Sequence, residues 1–277
     1  MQLRVIVYGS GGNGIKYYQQ NKDNHEIIAF ADSYKNGELF GLPIISPNDI
    51  KDFDFDMIVI ASIYTEAIKK TLLEIGIEES KIDNSYTGTL SDARDNFLIQ
   101  LSKEIKRKNL RGSVAEAGVF RGDFAAQINK NFPQKLLYLF DTFEGFDKRD
   151  IMVEEGYEAN PSRGEYFKQT SIEIVLSKMD YKENVIIKKG YIPETLQDVN
   201  DEFCFVNLDM DLYQPTLEAL KWFWPRMVSG GVILIHDYFE DTGTYPNLKK
   251  AVIKFTEEFN VPTMPIGDNL SIALIKA

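Results

Sequence analysis

The stretch Phe205-Val-Asn-Leu-Asp209-Met-Asp211-Leu-Tyr213 is an apolar run that ends in two carboxylates. A run of this kind predicts a buried strand whose C-terminal edge opens into a cleft. Further along, Val232–Ile235 repeats the design and ends in His236-Asp237-Tyr238. In an open α/β sheet, ligands bind outside the carboxyl ends of the strands. Two such strands side by side gather Asp209, Asp211, His236 and Asp237 in one small volume, a candidate metal and base site.

Around this pair the pattern alternates. Strands are expected at Val114–Gly118, Leu136–Phe140, Val185–Lys189, Phe203–Leu208, Gly231–Ile235 and Ser271–Lys276. Helical patterns fall over Phe124–Asn131, Ser171–Met179, Thr216–Pro225 and Leu248–Phe259. Such alternation predicts an α/β fold, a Rossmann-like, mostly parallel sheet with helices on both faces. The polar segment Glu144–Thr170 breaks the rhythm and is long for a connection, which marks lids and binding loops. Phe143, Phe146, Tyr157, Tyr166 and Phe167 give it aromatic surface for stacking on a ring. It is expected to close over an acceptor, with Asp150–Ser162 as its removable part.

The chain opens differently. A strand over residues 3–8 runs into Gly9-Ser-Gly-Gly-Asn-Gly14, and a helical pattern begins near Ile15. A second strand, Glu26–Ala31, ends at Asp32, where an acid could meet a ribose. The strand Met57–Ala61, a helix over Tyr64–Ile75 and the extended Lys81–Ile82 complete a smaller Rossmann-like βαβ module, residues 1–86. Gly9–Gly14 is a candidate site for a nucleotide or nucleotide-sugar. The same module could equally serve packing, dimerisation or substrate presentation. A full dinucleotide fold needs two such halves, so redox catalysis is not expected of it. Residues 84–90 are polar and turn-rich, and the boundary is placed there. A helix over Ser91–Lys108, with Ser91 as N-cap, opens the second domain, 87–277.

The totals narrow the function classes. The 277 residues carry a net charge of −11. That argues against nucleic acid and anionic membrane partners, because neutralising phosphates needs basic clusters. One cysteine, Cys204, excludes an internal disulfide, and two histidines, His25 and His236, exclude a three-histidine zinc site. No apolar run approaches the ~20 residues of a membrane span. A strand pattern begins at Leu3 without a signal peptide, so a cytoplasmic location is expected. A homo-oligomer is expected too.

Four strand ends carry signals in order. Glu116-Ala-Gly118-Val-Phe-Arg121-Gly122 offers glycines for close backbone approach and a helix start for a carboxylate. Asp141 sits where an acid accepts ribose hydroxyls. Gly190-Tyr191-Ile192 leaves room for a flat adenine. Asp209-x-Asp211 is the fourth. Together they describe an adenosine-containing ligand lying across the sheet edge. The glycine loop lacks Gly-Lys-Ser/Thr, so a P-loop is not expected.

These residues resemble the macrocin O-methyltransferase family, metal-dependent, S-adenosylmethionine-dependent enzymes that methylate sugar hydroxyls. The matching residues are Glu116-x-Gly118-Val-x-Arg121-Gly122, Asp141-Thr142-Phe-x-Gly145, Tyr166-Phe167…Ser171-x-Glu173, Gly190…Pro193-x-Thr195, Asp209-x-Asp211-x-Tyr213, Pro225…Gly230-Gly231 and His236-Asp237-Tyr238. The resemblance implies a class I methyltransferase fold and a set of roles. Glu116, Gly118, Arg121 and Gly122 would line the methionine end of the donor. Asp141 with Thr142 would hold the ribose, and Gly190, Tyr191 and Ile192 would border the adenine. Asp209 and Asp237 would hold magnesium (or manganese), with Asp209 also against the donor, and Asp211 would be the general base. The family often has Asp-Asp where this chain has His236-Asp237. His236 is therefore open as a ligand for manganese, a partner behind a ligand, or a core residue.

The chemistry suits such residues. A sugar hydroxyl is a weak acid, and a hard cation bound to its oxygen lowers that pKa and orients neighbouring hydroxyls. A positioned base adds about 10²–10⁴-fold. Two other readings stay open: a catechol-like diol acceptor, and a catalytically inactive nucleotide-binding or scaffold protein. The former would show in an acceptor screen, and turnover that is abolished by Asp209→Ala with folding retained would rule out the latter.

Overall fold

The computed structural model describes residues 2–62, 64–154, 162–239 and 246–277, without the side chains of 87–92, 162–164 and 246. Two compact units divide the chain, residues 1–92 and 93–277.

The first unit runs β1 (Leu3–Tyr8), α1 (Gly12–Asn21), β2 (His25–Ala31), β3 (Gly37–Leu39), β4 (Leu42–Ile45), β5 (Met57–Ile60), α2 (Thr65–Glu74) and β6 (Ile82–Asp83). Its sheet has the order β3-β4-β2-β1-β5-β6, parallel except for the β3–β4 hairpin. The hairpin, residues 37–45, lies between the expected strands Glu26–Ala31 and Met57–Ala61, where no strand was expected. Val5, Ile6, Val7, Ala29, Phe30, Ile58, Val59 and Ile60 are fully buried, as expected for parallel strands covered on both faces.

The next helix, α3, spans Ser85–Arg107, so it starts at Ser85 and not at Ser91. Thr-Gly-Thr within it reads as a turn because glycine and β-branched threonine are poor helix formers. Asp83 overrides that preference locally: its Oδ1 accepts from the Ser85 amide at 2.8 Å and the Ser85 hydroxyl at 2.6 Å. Satisfying a first-turn donor in this way starts a helix. The polar stretch 84–90 is thus mostly helix.

The second unit continues with β7 (Ser113–Ala117), α4 (Asp123–Asn131), β8 (Leu137–Asp141), α5 (Lys148–Ile151), α6 (Ser162–Phe167), α7 (Ile172–Ser177), β9 (Val185–Lys189) and β10 (Phe203–Leu208). It closes with α8 (Tyr213–Phe223), β11 (Met227–Ile235), α9 (Pro246–Phe259), β12 (Thr263–Pro265) and β13 (Ile272–Ile275). The sheet order is β12-β13-β11-β10-β7-β8-β9. Strands β9, β8, β7, β10 and β11 are parallel, while β13 runs antiparallel to both β11 and β12. The sequence pattern lacked β12, which is short and exposed on all three residues.

Chain order reverses between β7 and β10: β8 and β9 build outward on one side of β7, β10 and β11 on the other. That is a topological switch point, where the crevice for a ligand opens. Two apolar layers hold the sheet. Phe140, Phe203, Phe223 and Phe255 pack on one face. Leu98 and Ile105 of α3, with Ile128 of α4, pack with Leu139, Phe205 and Leu234 on the other.

Candidate functional site

At the switch point the loops after β7 and β10 touch. Gly118 has φ +83°, and a Cβ there would lie 1.9 Å from the Asp209 carbonyl oxygen, so only glycine fits. The Asp209 amide donates to the Ala117 carbonyl at 2.8 Å. Two residues on, Asp211 has φ +63°, and the Leu212 amide donates across it to the Met210 carbonyl at 2.6 Å. A three-residue turn with positive φ is rare and strained, and strain of this kind collects at functional sites. Asp237, after β11, also has positive φ, +57°.

A solvent-open cleft lies here, at the switch point where ligands of such sheets bind. Gly118, Asp141, Thr142, Gly190, Tyr191, Ile192, Asp209 and Asp211 line it. Four strand-end motifs, scattered over the sequence, thus share one wall. Glu116 is buried on β7 below the cleft. Arg121 and Gly122 are not among the lining residues. Arg121 is exposed. Gly122 caps α4 with φ +76°, and a Cβ there would press on Val175 Cγ1 at 2.9 Å. Its glycine serves helix packing, which a sequence pattern cannot separate from ligand approach.

Asp141 faces the cleft but also works for the fold. Its Oδ2 accepts from the Val119 and Phe120 amides at 2.6 and 2.9 Å, and its Oδ1 from the Phe143 amide at 2.6 Å. Burial pushes its carboxyl above the usual range, and these amides oppose the rise.

Two residues without a sequence signal complete the centre. Asn207 of β10, fully buried, donates from Nδ2 to Glu116 Oε1 at 2.8 Å. Arg94 of α3 donates from Nη2 to Asn207 Oδ1 at 3.0 Å and to Asp209 Oδ2 at 3.2 Å. Its guanidinium carbon stands 3.8 Å from the centre of the Phe124 ring. Glu116 Oε2 and Arg94 Nε are buried without hydrogen-bond partners. Burial drives the Glu116 carboxyl well above its usual pKa, and the Arg94 charge opposes this.

Asp209, His236 and Asp237 each offer one ligand atom, and these atoms lie within 4.8 Å of one another. His236 Nε2 is 3.5 Å from Asp237 Oδ1, and Nδ1 is 3.0 Å from the Ser271 hydroxyl.

The segment after β8 differs from a loose lid. Asp147 caps α5, and Asp150 is 5% exposed with the Tyr191 hydroxyl donating to its Oδ1 at 3.3 Å. Burial pushes the Asp150 carboxyl up to about 7. Glu154 accepts from the Tyr213 amide and from Asn247 Nδ2, both at 2.9 Å. Residues 150–154 are therefore built into the domain. Phe143 is a core residue, whereas Phe146 and Phe167 line the cleft. Phe120 packs against Tyr166 and Phe167. Tyr157 lies outside the described residues.

In the first unit, the Gly9 turn packs against β5 and α1. A Cβ on Gly9 would meet the Ala61 carbonyl oxygen at 2.5 Å, and one on Gly14 the Gly9 carbonyl oxygen at 1.8 Å. Asp32 accepts from the Ser10 amide and hydroxyl and from the amides of Tyr34 and Lys35. These four bonds fill a carboxylate's roughly four acceptor positions. Asp32 thus holds its own turn, and the ribose expected from its spacing would have to displace one of these donors.

Strand order, switch-point cleft and acid cluster define a class I methyltransferase fold. The chain belongs to the macrocin-O-methyltransferase (TylF) family, whose model matches residues 59–269. Residues 1–83 match a second model, C2185-like, N-terminal. A demethyldecarbamoylnovobiocin O-methyltransferase from Streptomyces niveus is 22% identical over 178 residues, 58% of this chain and 64% of that protein. The chain thus spans less than two thirds of that relative's length. The solved structure of the O-methyltransferase NovP superposes with a TM-score of 0.56 at 22% identity, covering 67% of this chain and 80% of NovP. Among the described residues, no helix is long and apolar enough to cross a membrane.

Proposed function

We propose that the protein transfers a methyl group from S-adenosylmethionine to a hydroxyl of a saccharide, aided by a divalent cation. The observation that carries this is the acid-lined cleft at the switch point, with the buried, unpartnered Glu116 Oε2 below it. The donor is a cation with an ammonium group. Asp141, Asp147, Asp150, Asp209 and Asp211 along the wall suit its charge, and Glu116 Oε2 suits the ammonium. Gly118 lets the loops after β7 and β10 meet, where a Cβ would lie 1.9 Å from the Asp209 carbonyl oxygen. The acceptor class rests on the family's sugar hydroxyls.

When bound, the donor supplies a methyl group already activated by its sulfonium charge. Asp141 with Thr142 would orient the ribose, and Gly190 to Ile192 would border the adenine. Arg94 holds Asp209 through Oδ2, and one Asp209 oxygen lies within 4.8 Å of a ligand atom of Asp237 and of His236. Those three fit a divalent cation, which would polarise the acceptor oxygen. Asp211, held rigidly in its strained turn, would take the acceptor proton. Phe120, Phe146 and Phe167 would exclude water from the transfer and carry the sugar ring.

The reading is tested by titrating the full chain with S-adenosylmethionine in a calorimeter, with and without magnesium or manganese. Saturable donor binding is expected, and turnover of a saccharide acceptor that stops in Asp209→Ala. Absence of donor binding would overturn it.

A further inference from the structure

The histidine of the acid cluster is backed by a buried relay. Asp268 and Ser271 are each 1% exposed, both in the loop between β12 and β13. Asp268 Oδ1 is pinned by the amides of Leu270 and Ser271 at 3.0 and 2.7 Å. Its Oδ2 accepts the Ser271 hydroxyl proton at 2.5 Å. A hydroxyl has one proton to give, so Ser271 Oγ presents a lone pair to His236 Nδ1, 3.0 Å away. The hydrogen on that contact therefore sits on Nδ1. In the neutral ring, Nε2 is then a bare lone pair, and it faces Asp237 Oδ1 at 3.5 Å within the Asp209–His236–Asp237 cluster. A lone pair facing a carboxylate oxygen is repelled unless a proton or a metal cation lies between them, and the nearby Asp209 carboxylate makes a divalent cation a fitting occupant.

We propose that His236 binds the cation through Nε2, and that the Asp268–Ser271 relay behind it makes this centre favour a first-row transition ion such as manganese over magnesium. The inference rests on the cation site of the proposed function and specifies its ion. An imidazole whose second nitrogen is anchored to a carboxylate through a hydroxyl is the arrangement found behind metal-bound histidines, and it raises the basicity of the ligating nitrogen. Magnesium dehydrates reluctantly and prefers oxygen. Along the Irving–Williams series a nitrogen donor gains affinity, starting at manganese. Two carboxylates and one imidazole keep the site hard enough for manganese while penalising magnesium. Neither Asp268 nor Ser271 carried a ligand signal in the sequence, because both act through His236.

The test uses the full chain and manganese(II) alone, without donor or acceptor. Binding is read by electron paramagnetic resonance, the ligand nitrogen by electron spin-echo modulation, and magnesium affinity by competition. Expected are one nitrogen modulation and a preference for manganese of about tenfold or more. His236→Asp should erase the modulation and bring the two affinities together. Ser271→Ala should keep the modulation and weaken manganese binding by about 10–100-fold. Bound manganese without nitrogen modulation, or equal affinities in the wild-type chain, would overturn this inference and leave the cation site standing. No cation binding, with donor binding intact by calorimetry, would overturn both.

Discussion

Arg94 Nη2 lies 3.2 Å from Asp209 Oδ2, and the same nitrogen reaches Asn207 Oδ1 at 3.0 Å. One cation from a helix N-terminal to the sheet thus restrains two side chains at the end of β10, beside the buried Glu116. Removing it leaves two carboxylates facing each other in a poorly solvated place. Arg94→Ala is expected to destabilise the second unit by about 3 kcal/mol. Urea denaturation followed by tryptophan fluorescence measures this, since both tryptophans lie in that unit. A change under about 0.5 kcal/mol, the range of ordinary surface substitutions, would count against the network.

Asp150 makes donor binding depend on pH. Burial disfavours the charged form and pushes its carboxyl up to about 7 from the usual 3.8. The folded chain therefore keeps this proton longer than the unfolded one, and the group's share of stability falls as pH rises from about 3.8 to 7. The ionised form, dominant above 7, adds a negative charge to the wall that meets the cationic donor. Donor affinity should rise by a few-fold between about pH 6 and 8, and Asp150→Asn should flatten the profile. A wild-type profile already flat would refute the assignment.

Gly118 and Gly122 separate ligand approach from packing. Gly118→Ala places a methyl group 1.9 Å from the Asp209 carbonyl oxygen and should abolish donor binding. Gly122→Ala instead presses on the buried Val175, with Cγ1 at 2.9 Å and Cα at 3.2 Å, at φ +76°. It should cost about 1–2 kcal/mol, with donor binding retained once folded. Calorimetry beside thermal melts distinguishes the two, and loss of donor binding in a folded Gly122→Ala would place that glycine at the ligand after all.

Asp211→Asn keeps the shape and the tolerance for positive φ while removing the base. Turnover should fall by about 10²–10⁴-fold with donor affinity unchanged. Near-normal turnover in this variant would move the proton to another acceptor.

Much of this was legible in the sequence, because parallel strands buried on both faces read as apolar runs and their C-terminal residues mark the sheet edge. Glu116, Asp141, Gly190 and Asp209 stood out for that reason. Arg94 and Asn207 did not: one sits on an amphipathic helix among ordinary surface charges, the other inside an apolar strand, and only tertiary approach links them. Asp268 and Ser271 were hidden likewise in a polar loop. The start of α3 was misplaced because Asp83 outweighs the low helix propensity of Thr-Gly-Thr. The aromatic segment was expected to close over an acceptor, and its pattern did not show that Glu154 ties its described part to Tyr213 and Asn247.

The contact of Gly118 with Asp209 has a consequence for how such enzymes diverge. The backbone after β7, proposed here to approach the donor, and the backbone that presents Asp209 and Asp211 are wedged against each other at Gly118. Neither loop can lengthen or tilt by itself. New acceptors must therefore be accommodated by the aromatic segment and the loop after β11, while the wedge is inherited as one piece.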